Sequence, residues 1–264
     1  MPSFMGDPMQ TLDLNADLGE SFGAWSMGDD RSLLSVVTSA NIACGFHAGD
    51  PSVMARTVDL ALEAGVALGA HPGYPDLQGF GRRSMALTPQ EAHDALLYQV
   101  GALEAFLRVR GARLNHVKPH GALYNAAAVD ARLAGALARA VKAFDPGLIL
   151  VGLAGSELTK AGEAEGLQVA HEAFADRAYE GDGTLTPRGL PGAVLTDPTL
   201  IVDRAVAMVT TGRVTARCGT EIPLRMDTLC LHGDGPHAVA FARALQAGLA
   251  EEGRSLASLR REAR

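Results

Sequence analysis

Acids, histidines and a lysine recur in this chain at one kind of place, just past a short apolar run. They are Asp17 and Glu20, His47 and Asp50, His71 and Asp76, Lys118 and His120, Glu172 and Asp176, and His232 and Asp234. Each type has a chemical use. A carboxylate such as Asp17 or a neutral imidazole such as His71 can take a proton from water, while Lys118 and His120 can stabilise developing negative charge or return a proton to a leaving nitrogen. Asp176 and His232 are further acid–base candidates, and His47, Glu172 and Asp234 are candidates for holding substrate. Arg82, Arg83 and Arg177 offer the two-pronged donors that grip a carboxylate. Asn15, Asn41 and Asn125 stand where they could orient substrate or neighbours, although asparagine after a strand is also ordinary turn chemistry. Asp17, His47 and His71 together supply one carboxylate and two imidazoles, a donor set for a divalent metal with positions left for water. None of the three has the i, i+3 or i, i+4 spacing of a local metal site, so only the fold could assemble them. The remaining histidines, His93, His116, His171 and His237, fall inside helical or strand patterns and read as packing or solvent contacts.

Several other chemistries are missing. The chain has no G-x-S-x-G elbow, no H-E-x-x-H, no dinucleotide G-x-G-x-x-G and no phosphate loop of the G-x-x-x-x-G-K-[ST] type. Across 264 residues, 23 Lys and Arg stand against 30 Asp and Glu, a net charge of -7 with no basic block, which leaves no footprint for nucleic acid or an anionic membrane. No apolar run reaches the roughly 18 to 20 residues that span a bilayer and Met1 to Gln10 lack a leader pattern, so a cytoplasmic protein is expected. Three cysteines, Cys44, Cys218 and Cys230, are odd in number and lack Cys-x-x-Cys spacing, so reduced thiols are expected.

The elements that must position these groups alternate. Short apolar runs near residues 11–15, 39–43, 66–70, 114–118, 148–153, 167–172 and 227–231 read as strands, with helical patterns between them, and this alternation implies a parallel sheet. Thr88-Pro89-Gln90-Glu91 combines an N-cap, a first-turn proline and a capping-box acid ahead of Ala92, Leu96, Val100, Leu103 and Leu107, with Gly111 as the stop. Asp50-Pro51 and Asp197-Pro198 open two more helices that stop at Gly65 and Gly212. Others are read over residues 130–144 and 236–249. Residues 174–196 have no period and are rich in Gly, Pro and charge, as expected of a lid or binding loop. The predicted fold is one distorted (β/α) barrel of about seven parallel strands over residues 9–255, with an extension at 1–8 and a tail at 256–264. In such a barrel the strand-end groups share one mouth, and four of the histidines, His47, His71, His120 and His232, would meet there.

Long blocks of the sequence also resemble the LamB/YcsF family. These are L-N-A-D-L-G-E-S-F-G at 14–23, N-I-A-C-G-F-H-A-G-D-P at 41–51, G-A-H-P-G-Y-P-D at 69–76, G-F-G-R-R at 79–83, V-K-P-H-G-A-L-Y-N at 117–125, F-A-D-R-A-Y at 174–179 and C-L-H-G-D at 230–234. The resemblance runs in order over roughly residues 12–253. It implies a seven-stranded barrel akin to glycoside hydrolases and deacetylases. It also implies a part in ATP-dependent 5-oxoprolinase, which opens 5-oxo-L-proline to L-glutamate, together with partner subunits B and C. ATP would be a co-substrate of the complex, and a divalent metal remains open. Two alternatives stand beside it: a stand-alone metal-dependent amidohydrolase or sugar deacetylase, and a non-catalytic subunit that binds the lactam or scaffolds its partners. The sequence does not decide between a monomer and a homo-oligomer. Ala16 stands where the family commonly has a cysteine, which removes a thiol next to Asp17 in sequence. Met1 to Pro8 precede the family's usual start.

Overall fold

The structure is a computed structural model that describes residues 11–231 and 238–261. In chain order its first half contains β1 (Thr11–Leu18), α1 (Asp30–Leu34), β2 (Ser39–Ala43), α2 (Pro51–Ala64), β3 (Ala67–His71), α3 (Pro89–Arg108), β4 (His116–Val117), α4 (Gly121–Val129) and α5 (Ala131–Phe144). There follow β5 (Ile149–Leu153), α6 (Glu157–Ala164), β6 (Gln168–Phe174), α7 (Pro198–Thr211), β7 (Arg213–Thr215), β8 (Glu221–Pro223), β9 (Thr228–Leu231), α8 (Ala238–Glu251) and β10 (Ser255–Leu256). Strands β1 to β6 and then β9 pair side by side, all parallel, and β9 returns to β1, which closes a seven-stranded barrel. β7 and β8 form a separate antiparallel hairpin. Among the described residues no helix is long and apolar enough to cross a membrane.

The seven expected strands are the seven staves. β4 is the shortest because Pro119 ends it without an N–H to give. The ladder nevertheless extends past its ends, where Asn115 N–H donates to Leu68 O (2.7 Å) and Lys118 N–H to Ala70 O (2.9 Å). The helix boundaries follow the capping chemistry. Asp50 accepts from Ser52 N–H and Val53 N–H ahead of Pro51, and Gly65 closes α2 at φ +69°, where a side chain would be strained. Thr88 and Glu91 form the reciprocal capping box of α3. Apolar residues on the outer face of the staves, such as Leu14, Leu18, Ile42, Val117 and Leu150, pack under Leu96, Leu103 and Leu137 of the helices in one continuous core.

Because side chains alternate along a strand, the polar residues of β1, Asp13, Asn15 and Asp17, point to the opposite side, the barrel interior. Ala16 is buried in the outer core with Leu14 and Leu18, so a thiol at this position would face away from Asp17's side of the strand.

The segment after α8 corrects the expected tail. Ser255 and Leu256 pair with the first two residues of β1. Asn115 Nδ2 donates to Leu259 O (3.1 Å), and Arg261 donates to Leu114 O (2.9 Å) and Gly147 O (2.8 Å). A boundary after residue 255 therefore falls inside a strand, and residues 256–261 are strapped to the barrel floor. The extension expected at residues 1–8 lies outside the described residues.

Candidate active site

A column of polar side chains fills the barrel axis in three tiers. At the floor, Asp13 accepts from Ser39 Oγ (2.6 Å), Thr38 Oγ1 (2.7 Å) and Thr228 Oγ1 (2.5 Å). Burial pushes this carboxyl above the usual range, against the pull of those hydroxyls. In the middle tier Asn15 donates to Thr228 Oγ1 (2.7 Å) and Glu172 Oε1 (3.1 Å), and Asn41 donates to Asn15 Oδ1 (2.7 Å). His116 Nε2 reaches across β3 to Asn41 Oδ1 (2.8 Å). It can do so only because β3 has Gly69 there; a Cβ on that residue would lie 2.0 Å from His116 Nε2. Burial, then the Lys118 charge, pulls the His116 imidazole down to about 3, so it is neutral.

The top tier carries the charge. Lys118 Nζ stands 2.9 Å from Asp17 Oδ1, 2.9 Å from Glu172 Oε1, 3.2 Å from Asn15 Oδ1 and 3.1 Å from Cys230 Sγ. Burial pulls its pKa down, but the carboxylates of Asp17 and Glu172 raise it well above the ordinary lysine value, so the ammonium persists. Burial pushes the Cys230 thiol well up, which keeps it protonated. Asp17 Oδ1 also accepts from Asn41 Nδ2 (2.9 Å), while its Oδ2 lies 3.3 Å from His71 Nε2.

Two backbone carbonyls fix the imidazoles. His71 Nδ1 is 2.8 Å from Lys118 O and His120 Nε2 is 2.8 Å from Phe80 O. A carbonyl only accepts, so those nitrogens carry the hydrogens, and in the neutral rings His71 Nε2 and His120 Nδ1 present lone pairs. These two nitrogens face each other at 3.0 Å. Phe80 reaches this carbonyl position from a left-handed backbone, φ 55°, the one non-glycine at positive φ among the described residues. Such a conformation costs about 1–3 kcal/mol and persists where the surroundings enforce it. His47 lies flat on His120, centroids 3.7 Å apart and planes 2° apart. Burial first, then the neighbouring imidazoles, holds both rings well below the usual histidine value.

Above this tier opens a small cleft of about 50 Å³. Of the expected residues, Asp17, His71, Lys118, His120, Arg82, Arg177 and Asn125 line it. Tyr124, Phe174 and Arg188 line it too and were not singled out from the sequence. Tyr124 is buried beside Glu172, and burial, then that carboxylate, pushes its hydroxyl well above the phenol range. Arg177 sits in the 174–196 segment, which is tied down by its own hydrogen bonds. Its Nε and Nη2 donate to Ala193 O (3.2 Å) and Thr186 O (2.7 Å), and Tyr179 Oη accepts from Phe174 N–H (2.9 Å). Burial, then Arg188, lowers the Arg177 guanidinium to about 10.

Other expected residues fall elsewhere. Asn15, Asn41 and Glu172 lie beneath the cleft, where Asn41 donates to Asp17 and Asn15 Oδ1 and Glu172 Oε1 meet the Lys118 ammonium. Arg83 turns away to Asp76, through Nε at 2.9 Å and a shorter Nη2 contact, because that carboxylate also caps Gly79 N–H and needs a cation beside it. Asp50 is spent on its helix cap and on Gly23 N–H (2.7 Å). Asp176 does not line the cleft; its backbone carbonyl accepts from Leu195 N–H (2.8 Å) inside the loop. His232 and Asp234 lie outside the described residues. The expected metal trio also changes. The ligand atoms that converge within 4.8 Å belong to Glu20, His47, His71 and His120, whereas Asp17 is engaged by Lys118 and Asn41.

Comparison with known proteins fits this architecture. A protein of Methylococcus capsulatus named as the A subunit of 5-oxoprolinase is 64% identical over 250 residues, 95% of this chain and 96% of that one. The Bacillus subtilis protein of the same name is 58% identical over 93% of this chain and 95% of its own. The crystal structure of a lactam utilization protein from Thermus thermophilus superposes with a TM-score of 0.88 at 51% identity, covering 94% of this chain and all of that one. With residues 12–264 matching the LamB/YcsF family as well, the chain belongs to that family.

Proposed function

We propose that the chain is the A subunit of an ATP-dependent 5-oxoprolinase, a cytoplasmic hydrolase that opens 5-oxo-L-proline to L-glutamate with partner subunits B and C. The observation that carries this reading is the Lys118-held Asp17 facing a fixed His71 lone pair on the floor of a cleft lined by Arg82, Arg177 and Arg188. The names of the relatives at more than half identity point to the same reaction.

A lactam is a stable amide, and ATP makes it reactive by converting its oxygen into a phosphorylated imidate. The chain has no phosphate loop, and in this reading the partners help to handle the nucleotide. In the cleft, Asp17 Oδ2 takes a proton from a water, and the water oxygen bonds to the ring carbon. The ring C–N bond then breaks, the nitrogen leaves as an amine after taking a proton, and the γ-acyl phosphate formed is hydrolysed by a second water to glutamate and phosphate. Lys118 is saturated by four neighbours, so it serves as a fixed positive charge that keeps Asp17 ionised and aimed. Arg82, Arg177 and Arg188 supply cationic character for the substrate carboxylate and the phosphoryl group.

The test is glutamate release from 5-oxoproline by this chain with and without subunits B and C and ATP, with Asp17→Ala in parallel. Release that needs all components and disappears in Asp17→Ala supports the reading. Full activity in Asp17→Ala would instead mark a non-catalytic lactam-binding or scaffolding protein. The imidazole cluster favours one other reading, a metal-dependent amidohydrolase or sugar deacetylase, which predicts turnover of acetamido substrates without ATP.

A further inference from the structure

The mouth contains more basic nitrogen than a single proton transfer uses, and those nitrogens point at one another. His71 and His120 each give their N–H to a backbone carbonyl, which leaves two lone pairs 3.0 Å apart, an arrangement that repels unless something positive lies between them. Glu20 Oε1 stands 3.5 Å from the same His120 Nδ1 and 3.6 Å from His47 Nε2. Neither ring nitrogen of the fully buried His47 has a hydrogen-bond partner among the described residues. A tetrahedral zinc centre with bonds of about 2.0–2.1 Å has ligand-to-ligand edges of about 3.4 Å, and the three measured edges bracket that value.

We propose that His71 Nε2, His120 Nδ1, Glu20 Oε1 and His47 Nε2 form a tetrahedral site for a zinc-type dication beside Asp17. Three imidazoles and a carboxylate are the ligand softness such ions take, and harder ions such as magnesium prefer oxygen alone. Phe80 O and Lys118 O act as the outer partners that fix the ligating tautomers of His120 and His71. One adjustment accompanies binding. His47 is stacked parallel to His120, so its lone pair runs alongside that of His120, and it must turn about its Cβ–Cγ bond to join the other three; it has no hydrogen bond to lose in turning. With all four positions taken by side chains, a dication here would hold the imidazoles together and place a fixed positive charge beside Asp17.

The inference rests on this cleft being the active site, but its test does not need the ring-opening reaction. The intact chain, stripped with chelator, is titrated with Zn²⁺ by calorimetry and with Co²⁺ by visible absorption. The expected result is one equivalent bound, with the intense ligand-field bands of a tetrahedral cobalt centre. His120→Gln and Glu20→Gln should each weaken binding by about a hundredfold or more, at or beyond the upper end of what losing an outer-shell partner does. Asp17→Asn should change it by less than about tenfold, and unchanged thermal midpoints of the stripped variants separate ligand loss from misfolding. The wild-type stoichiometry and spectrum stand even if a variant fails to fold. No binding by the wild type, an octahedral spectrum, or a site lost in Asp17→Asn but kept in His120→Gln overturns the assignment. Glutamate release by the complex is scored separately, so a failed ring-opening reading and a failed metal site leave different signatures.

Discussion

Asp13 and Asp17 stand four residues apart on the inner face of one strand, and their surroundings make them different acids. Asp13 is met by three neutral hydroxyls and by no cation among its close partners, so burial dominates and favours its protonated form. Asp17 is met by an ammonium, an asparagine and an imidazole, and part of its side chain reaches the cleft. The barrel places a sealed carboxyl at its floor and a tethered, accessible one at its mouth. What separates them is the lysine that β4 delivers two residues after His116, at the level of Asp17 and beyond the reach of Asp13.

Removing that lysine should have the largest effect. Lys118→Met leaves Asp17 and Glu172 as buried carboxylates without a cation, and loss of one partner of a buried pair costs about 3–5 kcal/mol. Denaturant unfolding at pH 7 measures the loss. It should shrink below pH 5, because carboxylates whose folded pKa has been raised stabilise the fold at low pH and cease to do so as pH rises. An undiminished deficit at pH 4.5 would mean that packing, not charge, set the difference between the two tiers.

Asp17→Asn keeps the shape and removes the charge. In the reconstituted complex glutamate release should fall by about 10²–10⁴-fold, the range of a positioned acid–base group, with little change in the unfolding midpoint. The mirror change at the floor, Asp13→Asn, should leave release within about twofold, because Asp13 and the hydroxyls of Thr38, Ser39 and Thr228 that it meets do not line the cleft. Equal activity losses at both sites would erase the distinction.

Gly69→Ala tests the tier between them. Its Cβ meets His116, which must move off Asn41, and overpacking of this kind costs about 1–3 kcal/mol. Release should fall in step as Asn41 loosens its hold on Asp17. The smallest effect is the pH dependence of Asp13→Asn. Asp13, its folded pKa raised, favours the fold below its unfolded pKa near 3.8, and that contribution is lost as pH rises through the raised value. The thermal midpoint of Asp13→Asn relative to wild type should therefore improve from pH 4 to pH 8. A constant difference would show Asp13 to be ionised in the fold.

The fold was legible because its signals are local. Seven apolar runs and the Asp-Pro and Thr-Pro-x-Glu caps can each be read within a few residues, and each sits within about three residues of its element. α4 and α6 escaped because Ala126, Ala127 and Ala128 in one and a short polar helix in the other give no apolar stripe. Ser255 and Leu256 are too few to show a strand without β1 beside them. The gathering of Asp17, His71, Lys118 and His120 followed from their strand-end positions once a barrel was assumed. The polar column did not, since alternation at 13, 15 and 17 is equally the mark of a strand with one face in water, and only ring closure turns that face inward. Arg82 and Arg83 are adjacent in sequence and were inseparable there; Asp76 takes one, and the cleft keeps the other. Arg188 was missed because its loop carries no period to place it.

The pairing of β1 has a consequence for synthesis. One edge of β1 is met early, by β2, but the other is shared between β9 and β10, and the partners Asp13 and Thr228 lie 215 positions apart. A growing chain that has made six staves still presents an open parallel sheet with unsatisfied amides along β1 and β6, and such edges invite pairing with other chains. Closing them waits on residues 228–256 and on a long-range contact that is slow to find. A chain halted before residue 228 would thus be a nearly complete barrel that is sticky, whereas β9 and β10 seal both edges once they are made.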